Sequence, residues 1–135
     1  MVDTVTTQTL LDGERLVIQK FTNISDGTGE AAVNKIIVAN LAPNSYGVAC
    51  TGLKLNRIWG STAGMAVQLL WDATADVLAW VVPQDTTYYM HFGEHPGGIP
   101  DNAGANRTGN LAFTTVGATA GDSYSIIVEC IKVYG

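Results

Sequence analysis

Apolar residues in this chain recur in short runs or at every second position, and nowhere hold a helical spacing for long. Two runs, 65–71 and 77–82, have strand length and flank the link Asp72-Ala73-Thr74-Ala75-Asp76. Asp at both ends of that link suits a hairpin loop, because its carboxylate accepts from nearby backbone amides. The pattern predicts a central hairpin that is core, with Trp71 and Trp80 near the middle of a sheet and largely buried. Upstream, 14–22 reads as a strand with Leu16 and Ile18 on one face and Val17 and Phe21 on the other. A short strand is predicted over 35–41, with room for a helical turn at 30–34. Another spans 48–59, where Leu53 and Leu55 give an apolar face in the first half only. Residues 60–64 then turn into the hairpin. Strands follow at 86–92, 111–116 and 123–134. The last carries Tyr124, Ile126, Val128 and Cys130 on one face and Ile127, Ile131 and Val133 on the other. Apolar residues on both faces imply a central place in a sheet or contact with another subunit. Seven or eight strands with Gly- and Asn-rich turns predict an all-β fold, an antiparallel β-sandwich or jelly roll. Residues 12–135 make one such domain. Residues 1–11 are Thr-rich with no packing face and read as an extended N-terminal arm.

Composition changes this picture in one respect. Charged residues are 14% of the chain, against about 25% in ordinary soluble domains. So little charge implies that partners cover part of the surface, as at the centre of an interface. The net charge of −5, with seven Lys and Arg, gives no basic cluster for nucleic acid. No apolar run approaches the ~20 residues of a membrane helix. Residues 1–7 lack the basic and apolar segments of a signal peptide, so synthesis in a cytoplasm is expected. Cys50 and Cys130 are then free thiols rather than a disulfide framework.

The candidate chemistry is sparse. His91-Phe92-Gly93-Glu94-His95 fits a zinc-peptidase spacing that works on a helix. Here a strand runs into it and Gly93 and Pro96-Gly97-Gly98 break it, so no metal site is expected. Gly121-Asp122-Ser123-Tyr124 has a serine but no nearby histidine base. Gly27-Thr28-Gly29 lacks the lysine of a phosphate loop, and Asp72 with Asp76 is a weak calcium signal. Asn23-Ile24-Ser25 and Asn106-Arg107-Thr108 match the glycosylation triplet, which means little without secretion. No active site assembles, and neither an enzyme nor a cofactor is expected. The 93–110 stretch is too long for an ordinary connection and reads as a partner-binding loop.

Residues 11–30, Leu-Asp-Gly-Glu-Arg-Leu-Val-Ile-Gln-Lys-Phe-Thr-Asn-Ile-Ser-Asp-Gly-Thr-Gly-Glu, resemble small virion proteins of tailed bacteriophages. So do Val67-Gln68-Leu69-Leu70-Trp71-Asp72 and Phe113-Thr114-Thr115-Val116-Gly117. The resemblance implies a head decoration (cement) protein, often a homotrimer, that binds the major capsid protein outside the head and stabilises it. The virion surface is then its location. Partner contacts are expected from the arm, at Val2, Thr4, Val5, Thr6, Thr7, Thr9 and Leu10. Others are expected from the loop, at His95, Pro96, Ile99, Pro100 and Arg107. Within the same class, a tail- or fibre-associated virion protein is an alternative. From another class, the alternative is a carbohydrate-binding β-sandwich module, for which Trp59, Tyr88 or Tyr89 would supply an exposed aromatic platform.

Overall fold

The computed structural model describes residues 4–92 and 98–134, with the side chains of Thr4 and Tyr88 excepted. Its strands are β1 (Thr4–Asp12), β2 (Leu16–Ile24), β3 (Val33–Ile36), β4 (Cys50–Ala63) and β5 (Ala66–Trp71). They continue with β6 (Val77–Val82), β7 (Thr87–His91), β8 (Ile99–Pro100), β9 (Leu111–Val116) and β10 (Ser123–Tyr134). Two antiparallel sheets face each other. The larger, sheet A, has the order β1-β2-β10-β4-β7, with β8 also paired to β4; sheet B has the order β3-β9-β5-β6.

The expected sandwich is therefore present, and its topology is that of a jelly roll. β5 pairs with β6, β4 with β7, β3 with β9 and β2 with β10. These are four nested pairs, one long hairpin wound over two sheets. The 65–82 hairpin is its innermost turn. Alternation does the sorting. In β2, Val17, Gln19, Phe21 and Asn23 turn inward while their neighbours stay partly exposed. In β10, Tyr124, Ile126, Val128 and Cys130 turn inward. β10 lies between β2 and β4, the central place that its two apolar faces predicted. Between the sheets, Phe21, Phe113 and Tyr124 meet edge to face, with ring centroids 5.2 and 5.8 Å apart. Gly64 joins β4 to β5 at φ 80°, where an added Cβ would lie 2.1 Å from Asp122 Oδ1.

Several expectations are corrected. Residues 4–12 are not a free arm. They form β1, paired with β2 from Thr4↔Ile24 to Asp12↔Val17. Their Thr-rich sequence has no apolar face because both faces of an edge strand here lie largely outside the core. Trp80 is only half-buried, since β6 is the edge of sheet B, and it packs on Phe92 at 4.7 Å. β4 runs on to Ala63, so 60–64 is not a turn except at Gly64. The short strand is earlier than expected, at Val33–Ile36, and a 3-10 turn at Val38–Asn40 replaces its second half. Of the long loop, residues 98–110 are fastened down. Thr108 N donates to Asp72 O, Asp72 N to Asn110 O, and Thr74 N to Ala105 O, at 3.1, 3.1 and 3.3 Å.

Three carboxylates are drawn into this framework. Glu30, on the crossing from sheet A to sheet B, pairs with Lys35 and accepts from Asn23 Nδ2 (2.9 Å) and Tyr124 OH (2.5 Å). Glu129 accepts from Asn56 Nδ2 at 2.5 Å and lies 3.2 Å from Arg57 Nε. Asp12 pairs with the fully buried Lys132.

Trp71 is wholly buried, as expected, and its Nε1 has no hydrogen-bond partner among the described residues. Replacement Trp71→Ala should cost roughly 3–5 kcal/mol in chemical denaturation. Trp71→Phe should cost markedly less, because it removes the unpaired N–H together with part of the ring. Equal losses in the two variants would show that the indole nitrogen is satisfied.

Candidate functional site

β1 and loop 98–110 carry the predicted partner residues. Val5, Thr6, Thr7, Thr9 and Leu10 are all exposed on β1, and the Thr4 backbone pairs with Ile24. β1 pairs on one side only, with β2, so its other edge is open among the described residues. Ile99 and Pro100 form β8 against Leu55 and Lys54, and the Arg107 guanidinium donates to Asp101 O at 3.2 Å. A cleft of about 210 Å³ separates Pro100 and Arg107 from Val133. The fold does not bring the two groups together. β1 is one edge of sheet A, and β8 lies beyond β4, four strand spacings or ~19 Å away. Val2, His95 and Pro96 lie outside the described residues.

The sandwich presents a third surface, the outer face of sheet A. Strand register lines its side chains up in rows across five strands. One row is Thr6, Thr22, Ser125, Ser61 and Thr87, a ladder of hydroxyls. Beside it run Gln8, Lys20, Ile127, Trp59 and Tyr89. The Trp59 and Tyr89 rings lie 5.4 Å apart at 35°. Between the two rows is an open groove of about 460 Å³, walled by Trp59, Tyr89 and Ile127. The next row holds Ile18, Glu129, Arg57 and His91. Of the three aromatic residues expected as a platform, the structure brings Trp59 and Tyr89 side by side; the Tyr88 side chain is not described. Lys20 and the hydroxyl ladder were not singled out from the sequence. Their signal was the period-two spacing Lys20/Thr22, Trp59/Ser61 and Ser125/Ile127.

The remaining polar candidates are held apart or already committed. Ser123 pairs with Ala63 and His91 with Arg57. Those two partners are six residues apart on β4, about 20 Å, so His91 is no base for Ser123. Asp122 accepts from Thr119 N (2.8 Å) and Thr119 Oγ1 (2.9 Å), which folds the turn before β10. Asp72 accepts from Thr108 Oγ1 (2.7 Å) and Asp76 from Ala73 N (3.0 Å). Among the described residues no three His, Cys, Asp or Glu side chains gather as a metal would require. Both cysteines are buried and free. Burial, with the Glu129 charge and Cys50 adding to it, drives the Cys130 thiol far above its ordinary range, so it is no nucleophile. Glu14 is held below the usual carboxylate range by the N–H and then the hydroxyl of Ser45.

No family model matches the chain, and no curated protein does. Among solved structures, a cupin domain from Bordetella pertussis aligns over 98% of this chain and 97% of its own, at 8% identity and a TM-score of 0.35. A likeness of that size carries no argument, and the fold assignment stands on the strand order alone.

Burial raises the Asp12 carboxyl, but the Lys132 ammonium and the Ala42 N–H outweigh it and hold the group below its ordinary value. A depressed carboxylate stabilises the fold above its unfolded pKa of about 4 and loses that contribution as pH falls through the lower, folded value. Asp12→Asn should therefore lower stability by roughly 3 kcal/mol at neutral pH, since Lys132 is left buried without its partner. The gap to the parent should narrow in denaturation profiles as pH falls through the lowered value of Asp12. A gap constant with pH would mean that the pair contributes nothing through its charge.

Proposed function

We propose that this protein is a non-enzymatic virion structural protein of a tailed bacteriophage, a decoration protein that binds the major capsid protein outside the head and stabilises the shell. The observation that carries this reading is the outer edge of β1. Edge strands are ordinarily blunted by lysine, proline, bulges or short length. β1 has nine residues with no charge before Asp12 and no proline, and its single irregularity lies near its end, between Thr9 and Leu11. A long, uncharged edge of this kind suits pairing with a strand of another chain, where backbone hydrogen bonds give affinity and alternate side chains give selectivity. The low charged fraction supports the same reading, as does the resemblance of 11–30, 67–72 and 113–117 to phage virion proteins. Jelly rolls recur in viral shells, although fold alone does not choose among their uses. Binding is the whole of the action. Many copies, synthesised in the bacterial cytoplasm and attached as homotrimers, each add a modest interface to the head, and the shell gains their sum.

Consecutive amides of a strand point to opposite edges, which supplies the test. Thr6→Pro and Thr7→Pro each remove one N–H from β1. One loses a bond to β2 and should lower the melting temperature by roughly 5 °C. The other loses an outward N–H and should sediment less with undecorated heads while melting near the parent. If both variants still bind heads, β1 is not the attachment edge. Microscopy that shows the protein on the tail would replace the head assignment. Light scattering at tens of micromolar should return a trimer, and a clean 14.3 kDa species would remove that part.

A further inference from the structure

We propose that the outer face of sheet A binds an acidic polysaccharide. Its sugar rings stack on Trp59 and Tyr89, an acid group meets Lys20, and sugar hydroxyls pair with Ser61, Thr87 and Ser125. This goes beyond the decoration reading and does not depend on it, since the β1 edge and this face are separate surfaces.

Shape comes first. Trp59 and Tyr89 are neighbours on adjacent strands, 5.4 Å apart, and Tyr89 is 48% exposed. They form the wall of an open groove of about 460 Å³. The exposed Tyr89 and the half-buried Trp59 offer apolar area at little entropic cost, because each has two side-chain torsions to fix. A pyranose is the ligand whose chemistry is two-sided in the same way, with a C–H face for the rings and a rim of hydroxyls. The rim finds its partners in the adjoining row. Ser61, Ser125 and Thr87 line the groove, and the Thr87 hydroxyl already donates to Ser61 Oγ at 3.3 Å.

Charge then selects the class. The protein as a whole carries −5. The strand side chains on this face nevertheless carry three cations, Lys20, Lys54 and Arg57, against one carboxylate, Glu129. Glu129 is buried and paired with Arg57. Lys20 lines the groove opposite the rings and makes no ion pair among the described residues. A carboxylate on the sugar meets that ammonium within the groove.

The rival occupant is a second copy of this chain. A second copy laid on through the same face would bring hydroxyls but no free carboxylate among the described residues, since its Glu129 is paired with Arg57. Lys20 would then be covered without a counter-ion, which an acidic sugar supplies. Nucleic acid, with a charge on every phosphate, would need a run of cations, and Lys20 is the one cation among the described residues lining the groove.

The test is calorimetric titration of the full chain with oligogalacturonate and with polysialic acid, and with cellohexaose as the neutral control. The acidic chains should bind, and Trp59→Ala or Tyr89→Ala should weaken them by about tenfold or more. Tyr89→Ala should melt near the parent, and loss of the half-buried Trp59 should cost some stability, so binding by Trp59→Ala is measured well below its own melting temperature. Lys20→Gln should bring the acidic chains down to the affinity of cellohexaose. The proposal is overturned if neither acidic chain binds, or if binding survives Trp59→Ala. Equal affinity for acidic and neutral chains would remove the role of Lys20 and the acidic class with it. Self-association abolished by Trp59→Ala, without sugar binding, would assign the face to a second copy instead.

Discussion

The outer face of sheet A depends on one extra residue. Opposite β10, Glu129 faces Arg57 and Cys130 faces Leu55, so Asn56 has no partner and bulges. Before it, Leu53 and Leu55 point into the core; after it, Ile58, Gly60 and Thr62 do. The bulge shifts the phase of the strand by one residue and so turns Trp59 outward. It is fixed from two sides. The Asn56 side chain donates to Glu129, and Phe92 N donates to Asn56 O at 2.7 Å. Glu129 is thereby given two reasons to be buried, a hydrogen bond to the bulge and an ion pair with Arg57 next to it. Without that anchor, one continuous phase would point Trp59 between the sheets, where Ile58 now packs.

The same bulge explains what the sequence could and could not say. Residues 53–59 showed alternation that lapsed after Leu55, and a lapse looks the same whether a strand loses its buried face or changes phase. β2 and β10 were legible because their alternation runs against a partner on each side, and the central hairpin because two apolar runs flank a turn. Trp71 was placed correctly and Trp80 was not. Both sit in apolar runs, but only strand order shows that β6 has a neighbour on one side. β1 was obscure for the opposite reason. Its exposed threonines are strand-prone yet give no inward face, and it is held by backbone pairing with β2, a few hydroxyl contacts and the Asp12–Lys132 pair rather than by apolar burial. Loop 98–110 looked free because its ties run to Asp72 and Thr74 through main-chain atoms, to which composition is blind.

The buried ionic groups sit where the chain changes course. Glu30 lies on the crossing between sheets and gathers Lys35, Asn23 and Tyr124, one group from sheet B and two from sheet A. Lys132 clamps Asp12, the last residue of β1, and also donates to Ala42 O at 3.1 Å. Each makes a seam at which apolar packing alone would leave register open, and an unpaired charge would penalise a slip. Such seams leave the described strand side chains of the β1 edge and of the outer face of sheet A without a free carboxylate, because Asp12 and Glu129 are already paired.

The nesting of the strands also governs how the protein is made. β10 is synthesised after β2 and β4, yet it lies between them and joins them. Until it has left the ribosome, β1–β2 and β4–β7 are two separate pieces of sheet A, and the inner faces of both are open to water. The innermost hairpin closes over a short link, whereas β2 must wait about a hundred residues for its partner, a separation that slows folding. From β2 until β10 the nascent chain is therefore an incomplete sandwich with exposed strand edges, the state in which β proteins aggregate. Chaperone occupancy on ribosomes should rise from β2 onward and fall only once β10 emerges.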